Sequence, residues 1–455
     1  DLHGLLHSFP TRRSSDLSQN IDQEFIHEED DNVLRKSNLS EAEKNKLYNE
    51  EDNWIVFSPN EKAKEYLAEA FNAYNVRATG RHLRTWDGFK SEIIKAIDLF
   101  KGEDVDITTQ NLLKANTNKK LVDYERTFDK FVYNDYLSSF KTFYSLVGSF
   151  ITSINSKERL KDLNQAIKEK KVTKYIDLLS FLPDIQKEIE KLKEITVNEI
   201  DKHLSNKKII NLIRFVAYLR NNNIENEDSR IESLYRDLSF ELKDQDIDEE
   251  EFHDIKKYVE SEFKQFVKKG NKKKSKNNLR NFLCLSFRTN LKDKDIKKLN
   301  KLLLLNSASE KLRKFPEDIV GNILALYFKF GSQMVKDKSK FLNIDSITDG
   351  DQNISDKETD IVLYHFLKNI KKIGQSKKLT NLLRNDKVVE TIFYKYRTQV
   401  LIDEVSDFSS IQVACMYNIS HPVFNSIFIT GDLLQRTNDS GLSKWEELEG
   451  YIDID

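Results

Sequence analysis

The sequence has little cysteine, glycine or proline and no long apolar run. Its two cysteines, Cys284 and Cys415, cannot form a disulfide framework and are typical of a reducing compartment. Only 13 glycines and 5 prolines occur among 455 residues, whereas 33% of the residues are charged. That balance favours long helices over an all-β fold. Because no stretch approaches the roughly 18 apolar residues of a membrane-spanning helix, we expect a cytoplasmic protein with no membrane partner.

The first seventeen residues, "DLHGLLHSFPTRRSSDL", lack the pattern of a helix or a strand. They do not form a signal peptide either, because no apolar segment follows a basic start. The stretch resembles the translation of an indexed sequencing adapter. We therefore expect residues 1–17 to be non-native and the natural gene to begin upstream of Ser18.

Three segments with different patterns follow. Residues 18–95 contain the short apolar run "WIVFSPN" and then apolar residues at helical spacing. Residues 96–390 carry aliphatic and aromatic side chains at three- and four-residue intervals, which predicts a large helical insert. Residues 391–455 contain two β-branched runs, "TQVLIDE" and "NSIFITGD", with helical spacing between them. This pattern predicts a βαβ unit whose strands are buried on both faces of a parallel sheet. The predicted fold class is therefore α/β, with a mostly α-helical insert.

Polar side chains follow each of the three predicted strands, at Ser58-Pro59-Asn60, Asp403-Glu404 and Gly431-Asp432. In open α/β sheets, ligands bind at the carboxyl ends of the strands. In a phosphate-handling site, the first carboxylate of such a pair holds Mg²⁺ and the second polarises a water molecule. An aliphatic run before Asp-Glu is common by itself, so the surrounding motifs decide its meaning.

Those surroundings resemble a known family. "IDEVSDFSSIQ", followed further along by "FITGDLLQRTNDSG", resembles motifs II and III of UvrD-like superfamily 1 ATP-dependent DNA helicases. Upstream, "WIVFSPNEKAKEYLAEAF" is similar to motif Ia and "LRTWDGF" to motif Ib. The resemblance implies a partial P-loop NTPase (RecA-like) domain 1A, divided between residues 18–95 and 391–455. Residues 96–390 would be a 1B-like insert.

The resemblance implies the following ATP-site roles. Asp403 would hold Mg²⁺ and Glu404 would activate the attacking water. Gln435 would contact the γ-phosphate, and Gly431 and Asp432 would shape the loop that presents it. The family commonly has Gln at the position of Ser406, so that contact departs from the pattern.

The same resemblance places three residues along single-stranded DNA. Asn60 and Thr85 would hydrogen-bond phosphate groups. Trp86 would offer a stacking face, worth about 1–3 kcal/mol per base. Its alternative role is that of a core residue.

The phosphate loop of the family is missing, because no glycine in the chain is followed by lysine. The motif GxxxxGK[ST] cradles the phosphates with backbone amides and a lysine. We therefore expect an inactive, truncated copy of a helicase or translocase that uses ATP and Mg²⁺ on single-stranded or partly duplex DNA. Two alternatives stay open: an ATPase that displaces bound proteins such as RNA polymerase, and a non-enzymatic helical DNA-binding or scaffold protein. Histidine spacing does not predict a zinc site.

Overall fold

A computed structural model describes residues 53–74, 76, 78–100, 107–108, 118–151, 154–226, 228–238, 249–269, 277–337, 354–383, 386–423, 425–437 and 439–452. The adapter-like residues 1–17 lie outside these ranges. The described chain forms two compact units. The first contains the described residues up to Tyr133, then Lys174–Ser180, and those from Phe315 onward. The second consists of Asn134–Thr173 and Phe181–Lys314.

The strands of the described residues all lie in the first unit and pair in parallel. They are β1 (Trp54–Ser58), β2 (Leu83–Thr85), β3 (Ile107–Thr108), β4 (Ile354–Ser355), β5 (Gln399–Ile402) and β6 (Ser426–Ile429). One sheet has the order β2-β1-β5-β6, and a small second sheet pairs β3 with β4. The predicted parallel α/β sheet is therefore confirmed, together with its three predicted strands β1, β5 and β6.

Helices make up most of the rest. In chain order they are α1 (Glu61–Ala73), α2 (Trp86–Ile97), α3 (Asn118–Val147), α4 (Ile154–Lys168), α5 (Tyr175–Leu178), α6 (Gln186–Leu204), α7 (Lys207–Asn221), α8 (Ile231–Leu238), α9 (Glu249–Lys269), α10 (Asn278–Asn290), α11 (Asp293–Val320), α12 (Ile323–Lys336), α13 (Asp356–Gly374), α14 (Lys377–Leu382), α15 (Lys387–Phe393) and α16 (Ser410–Tyr417). The helix α16 connects β5 to β6, as the βαβ pattern predicts. Within the described residues, no helix is long and apolar enough to cross a membrane.

The sheet is covered on both faces because its central strands carry apolar residues at every position except Ser58 at the end of β1 and Gln399 at the start of β5. Trp54 and Val56 pack with Leu67 and Phe71 of α1. Successive side chains of a strand point to opposite faces, and Phe57 meets two aromatic rings of α2 at centroid distances of 6.1 and 5.2 Å. All five residues of β1 are buried, whereas the four residues of β6, at one end of the strand order, are only half-buried. The prediction of a strand buried on both faces is therefore wrong for β6, which has a neighbouring strand on one side only.

The second unit is helical and has its own core. Ile189, Leu192 and Thr196 are buried on one face of α6, as their three- and four-residue spacing predicts. A larger cluster joins Phe215 of α7, Phe263 of α9 and Phe287 of α10. The expected insert at residues 96–390 is wider than this unit, since the described helical residues before Asn134 and from Phe315 onward belong to the first unit with the sheet.

Candidate functional site at the carboxyl edge of the sheet

The carboxyl ends of the four sheet strands bring the predicted polar residues to one edge. Ser58 is paired with Thr85, and Phe57 with Ile402. Ile402 is in turn paired with Ile429. Because parallel strands in register end together, Asn60, Thr85, Asp403 and Gly431 all follow at the same edge of the sheet.

Asp403 is the first residue after β5 and is held by both neighbouring strands. Its backbone amide donates to the carbonyl of Phe57 at 3.0 Å. Its side-chain Oδ1 accepts a hydrogen bond from the hydroxyl of Thr430 at 3.1 Å. Burial raises the pKa of this carboxyl, although the Thr430 hydroxyl and the Glu404 amide favour the charged form. Asp403 is thus a half-buried, positioned carboxylate.

Glu404 adopts a left-handed backbone conformation, with φ at 52°. Such a φ is uncommon for a residue other than glycine and occurs at sharp turns and strained sites. The turn leaves the side chain exposed, next to half-buried Asp403. The pKa of Glu404 is raised, first by partial burial and then by the negative charges of Asp403, Asp407 and Asp432. Glu404 therefore lies in the negative field of three other carboxylates, a field that a divalent cation would reduce.

Gly431 is required by the packing of the loop after β6. It has φ at +149°, and a Cβ added there would lie 2.7 Å from the backbone nitrogen of Val405. The Val405 amide also donates to the carbonyl of Thr430 at 2.8 Å. The loops that follow β5 and β6 are therefore in direct backbone contact, which only a residue without a side chain allows.

Asp432 organises the short helical turn Leu433–Gln435 that follows. Its Oδ1 accepts from the amide of Leu434 at 2.9 Å, and its Oδ2 accepts from Nε2 of Gln435 at 3.1 Å. Gln435 is exposed, so its amide is oriented by Asp432 and still reaches solvent.

Asp407 and Ser406 have different positions in the turn after Glu404. Oδ1 of Asp407 accepts from both the amide and the hydroxyl of Thr437, which ties this turn to the segment after Gln435. Ser406 is only 2% exposed. Its hydroxyl lies inside the protein and cannot extend across the site as a glutamine side chain would.

Asn60 and Thr85 cap two neighbouring helices. Oδ1 of Asn60 accepts from the amide of Ala63 at 3.0 Å at the start of α1. Oγ1 of Thr85 accepts from the amide of Gly88 at 3.3 Å at the start of α2. Helix N-termini present unpaired amides and a positive dipole end, both of which attract anions. The hydroxyl of Thr85 also donates to Oε1 of Glu61 at 3.3 Å, so one carboxylate lies between the two caps.

Trp86 is a core residue, which corrects the predicted stacking on a DNA base. Its side chain is 2% exposed and lies at the edge of Phe57. The indole Nε1 donates to Oδ1 of Asp360 at 2.9 Å. Stacking needs an open ring face, and this burial leaves none.

A buried charge cluster around Asp360 was not predicted from the sequence. Nζ of Lys90 lies 3.1 Å from Oδ1 of Asp360 and 2.6 Å from Oδ1 of Asp356. Gln412 donates to the other oxygen of Asp360 at 3.0 Å. Burial raises the pKa of Asp360 to about 6, against the opposing effect of the Lys90 charge. The cluster joins α2, α13 and α16, and so fixes the helix whose first turn Thr85 caps.

The described residues offer two places for a cation. The first is the acidic sheet edge, where Asp403 and Glu404 fit the oxygen-ligand preference of Mg²⁺. The second is a buried group of Glu125, Asp129 and His365. Sequence spacing missed the second group because its residues come from two helices far apart along the chain. Comparisons of this chain with protein-family models, curated proteins and solved structures found no match.

Proposed function

We propose that the chain is part of an ATP-dependent DNA helicase or translocase of the UvrD-like superfamily 1 type. The proposal is supported by the arrangement of Asp403-Glu404 beside Gly431-Asp432. These pairs follow adjacent parallel strands, and the two loops touch through Val405 and Gly431. Resembling motifs alone could occur by chance, but their meeting at one edge is what an ATPase site of this type requires.

The acidic edge supplies the half of the site that handles the metal and the water. Bound Mg²⁺ would neutralise developing charge on the phosphates. Asp403 is oriented by Thr430 and so presents its second oxygen to a cation. Glu404, exposed and with a raised pKa, is placed to accept a proton from a water molecule. Asp432 orients the side-chain amide of Gln435, which would contact the γ-phosphate of bound ATP.

The helix caps supply an adjacent surface for a nucleic-acid backbone. Asn60 and Thr85 lie at the ends of neighbouring strands, each at the start of a helix. A strand of phosphates can follow two adjacent helix N-termini without reading bases once the Glu61 carboxylate, which accepts from the Thr85 hydroxyl, turns away. Trp86 has no part in this surface, since it is buried.

The chain as printed contains no GxxxxGK[ST] segment. The β- and γ-phosphates of ATP therefore lack the backbone cradle and lysine that position them. We expect no ATP turnover from these 455 residues alone, even with single-stranded DNA present.

Binding of a fluorescent single-stranded oligonucleotide, measured by anisotropy over a salt series, tests the proposal. We expect binding that weakens as salt rises, because phosphate contacts release counterions. Binding of DNA, together with Mn²⁺ binding that Asp403→Asn weakens, would favour the helicase-derived site. DNA binding without Mn²⁺ binding would favour a non-enzymatic DNA-binding protein, and binding of neither would favour a scaffold.

A further inference from the structure

Three buried side chains away from the sheet edge gather their ligand atoms in one place. Glu125 and Asp129 lie one turn apart on α3, and His365 lies on α13. One ligand atom from each lies within 4.8 Å of the other two. The side chains of Glu125 and His365 are 5% and 0% exposed, so water cannot solvate the group freely.

A chain of hydrogen bonds fixes which nitrogen of His365 carries a proton. Nδ2 of Asn369 donates to the carbonyl of Ile319 at 2.7 Å, so Oδ1 of Asn369 must be an acceptor. The hydroxyl of Tyr175 donates to that Oδ1 at 2.9 Å. The hydroxyl proton of Tyr175 is therefore engaged in the bond to Asn369. The Tyr175 oxygen can then only accept a hydrogen bond from Nδ1 of His365, 3.0 Å away.

In the neutral imidazole, the other ring nitrogen, Nε2, then has its lone pair directed into the acidic group. Nε2 lies 3.0 Å from Oε1 of Glu125. This contact lacks hydrogen-bond geometry, and Nε2 has no hydrogen-bond partner. A buried nitrogen lone pair facing carboxylate oxygens is unfavourable unless a proton or a metal ion lies between them.

We propose that Glu125, Asp129 and His365 bind a divalent transition-metal ion, with Zn²⁺ as the best match. Zinc takes carboxylate oxygens and neutral imidazole nitrogen at about 2.0–2.2 Å. Ligand atoms within 4.8 Å of one another need only small side-chain movements to reach these distances. This site shares no residue with the proposed ATPase edge, so a negative result for one proposal leaves the other unaffected.

The surrounding contacts are those of an organised metal site. A metal-bound histidine usually donates its second N–H to a fixed acceptor, which Tyr175 provides here. Ligating carboxylates are also hydrogen-bonded, and the Tyr451 hydroxyl donates to Oε2 of Glu125 at 2.9 Å. Lys368 donates to Oδ1 of Asp129 at 3.2 Å, and a carboxylate keeps further lone pairs for a second partner.

Metal content of the purified 455-residue chain tests the proposal. After exposure to ZnCl₂ and dialysis into metal-free buffer, we expect one zinc per folded chain. His365→Gln and Asp129→Asn should lose it, whereas His253→Gln, which alters an exposed histidine of α9, should retain it. Circular dichroism establishes that each variant is folded before its metal content is compared.

A second measurement on the unmodified chain keeps the test informative if the buried variants do not fold. Metal binding to a folded site raises the thermal unfolding midpoint, and a chelator lowers it. We expect both shifts with Zn²⁺ and EDTA. The proposal would be overturned by a folded, zinc-free chain whose unfolding midpoint does not change with either Zn²⁺ or EDTA. ¹⁵N NMR showing that His365 is protonated on both nitrogens would then identify an imidazolium–carboxylate pair instead.

Discussion

Gly431 lies so close to Val405 that a Cβ at Gly431 would approach the Val405 backbone nitrogen to 2.7 Å. This contact joins the turn that carries Glu404 to the loop that carries Asp432. Thr430 reinforces it, since its carbonyl accepts from the Val405 amide at 2.8 Å. Both loops therefore form the acidic edge, and a change in the conformation of one loop displaces the other.

Gly431→Ala should therefore destabilise the protein. The new Cβ collides with backbone and the φ of +149° is unsuited to alanine, so we expect a loss of about 1–3 kcal/mol in the free energy of unfolding. Urea denaturation measures it. Gly80→Ala is the matched control, because a Cβ there meets nothing within 4 Å. If Gly431→Ala and Gly80→Ala lower the unfolding free energy equally, Gly431 is not in close contact with Val405.

Trp86→Phe separates a core role from a DNA-binding role. The substitution removes the hydrogen bond to Asp360 and leaves a buried void, which should cost about 2–3 kcal/mol of unfolding free energy. The affinity for single-stranded DNA should not change in the folded variant, because the indole is buried. Trp445→Phe serves as control, since Trp445 is 44% exposed. A selective loss of DNA affinity in Trp86→Phe would restore the stacking role.

Asn60→Asp tests the phosphate-binding surface without removing a helix cap. Asp and Asn cap helices about equally well, so the unfolding free energy should stay nearly constant. The added negative charge should weaken DNA binding about fivefold, which corresponds to about 1 kcal/mol. Asn72→Asp adds the same charge at an exposed position near the other end of α1. If Asn72→Asp weakens binding as much as Asn60→Asp, the two caps are not the binding surface.

His421, in the connection between α16 and β6, should make stability depend on pH. Burial lowers its pKa to about 4 from 6.5, and the charge of Lys371 adds to the shift. The unfolded chain therefore binds more protons than the folded one between these values. Stability is fully present above pH 6.5 and falls as the pH drops through 4, by up to about 3 kcal/mol.

Urea unfolding at pH 7, 5.5 and 4, for the original chain and for His421→Gln, measures this contribution. As the pH falls, the unfolding free energy of the original chain should decrease more than that of His421→Gln, because only the original chain has an imidazole to protonate. A difference that stays constant from pH 7 to pH 4 would mean that the imidazole of His421 is solvated in the folded protein.

The parallel sheet was predictable because its chemistry is local. The continuous apolar run "VLI" before Asp403 is typical of a strand buried on both faces, whereas "IFI" before Thr430 predicts a strand correctly but overstates its burial. The strand β2, only three residues long, carries too little pattern to be recognised in advance. Parallel strands in register then place their polar ends together without further information.

The role of Trp86 and the buried polar groups could not be predicted from the sequence, because they depend on packing between residues far apart along the chain. An indole such as that of Trp86 suits a core and a stacking surface equally well, and only its burial against the edge of Phe57 in the folded protein resolves the choice. Asp360 and His365 are buried one helical turn and a half apart on α13, although carboxylates and histidines usually face solvent. Their partners come from distant helices, so no spacing in the sequence signals them.

The most direct measurement of the central claim is Mn²⁺ binding to the acidic edge, monitored through the electron paramagnetic resonance signal of the free ion. All proteins compared also carry His365→Gln, so that the buried group of Glu125, Asp129 and His365 does not contribute. We expect Asp403→Asn to weaken the binding of the ion about tenfold, or about 1.4 kcal/mol, and Glu404→Gln to weaken it less. Glu69→Gln, at an exposed position of α1, should leave it unchanged. Metal binding that is identical in the Asp403→Asn and Glu69→Gln proteins would contradict the assignment of this edge as the cation-binding half of an ATPase site.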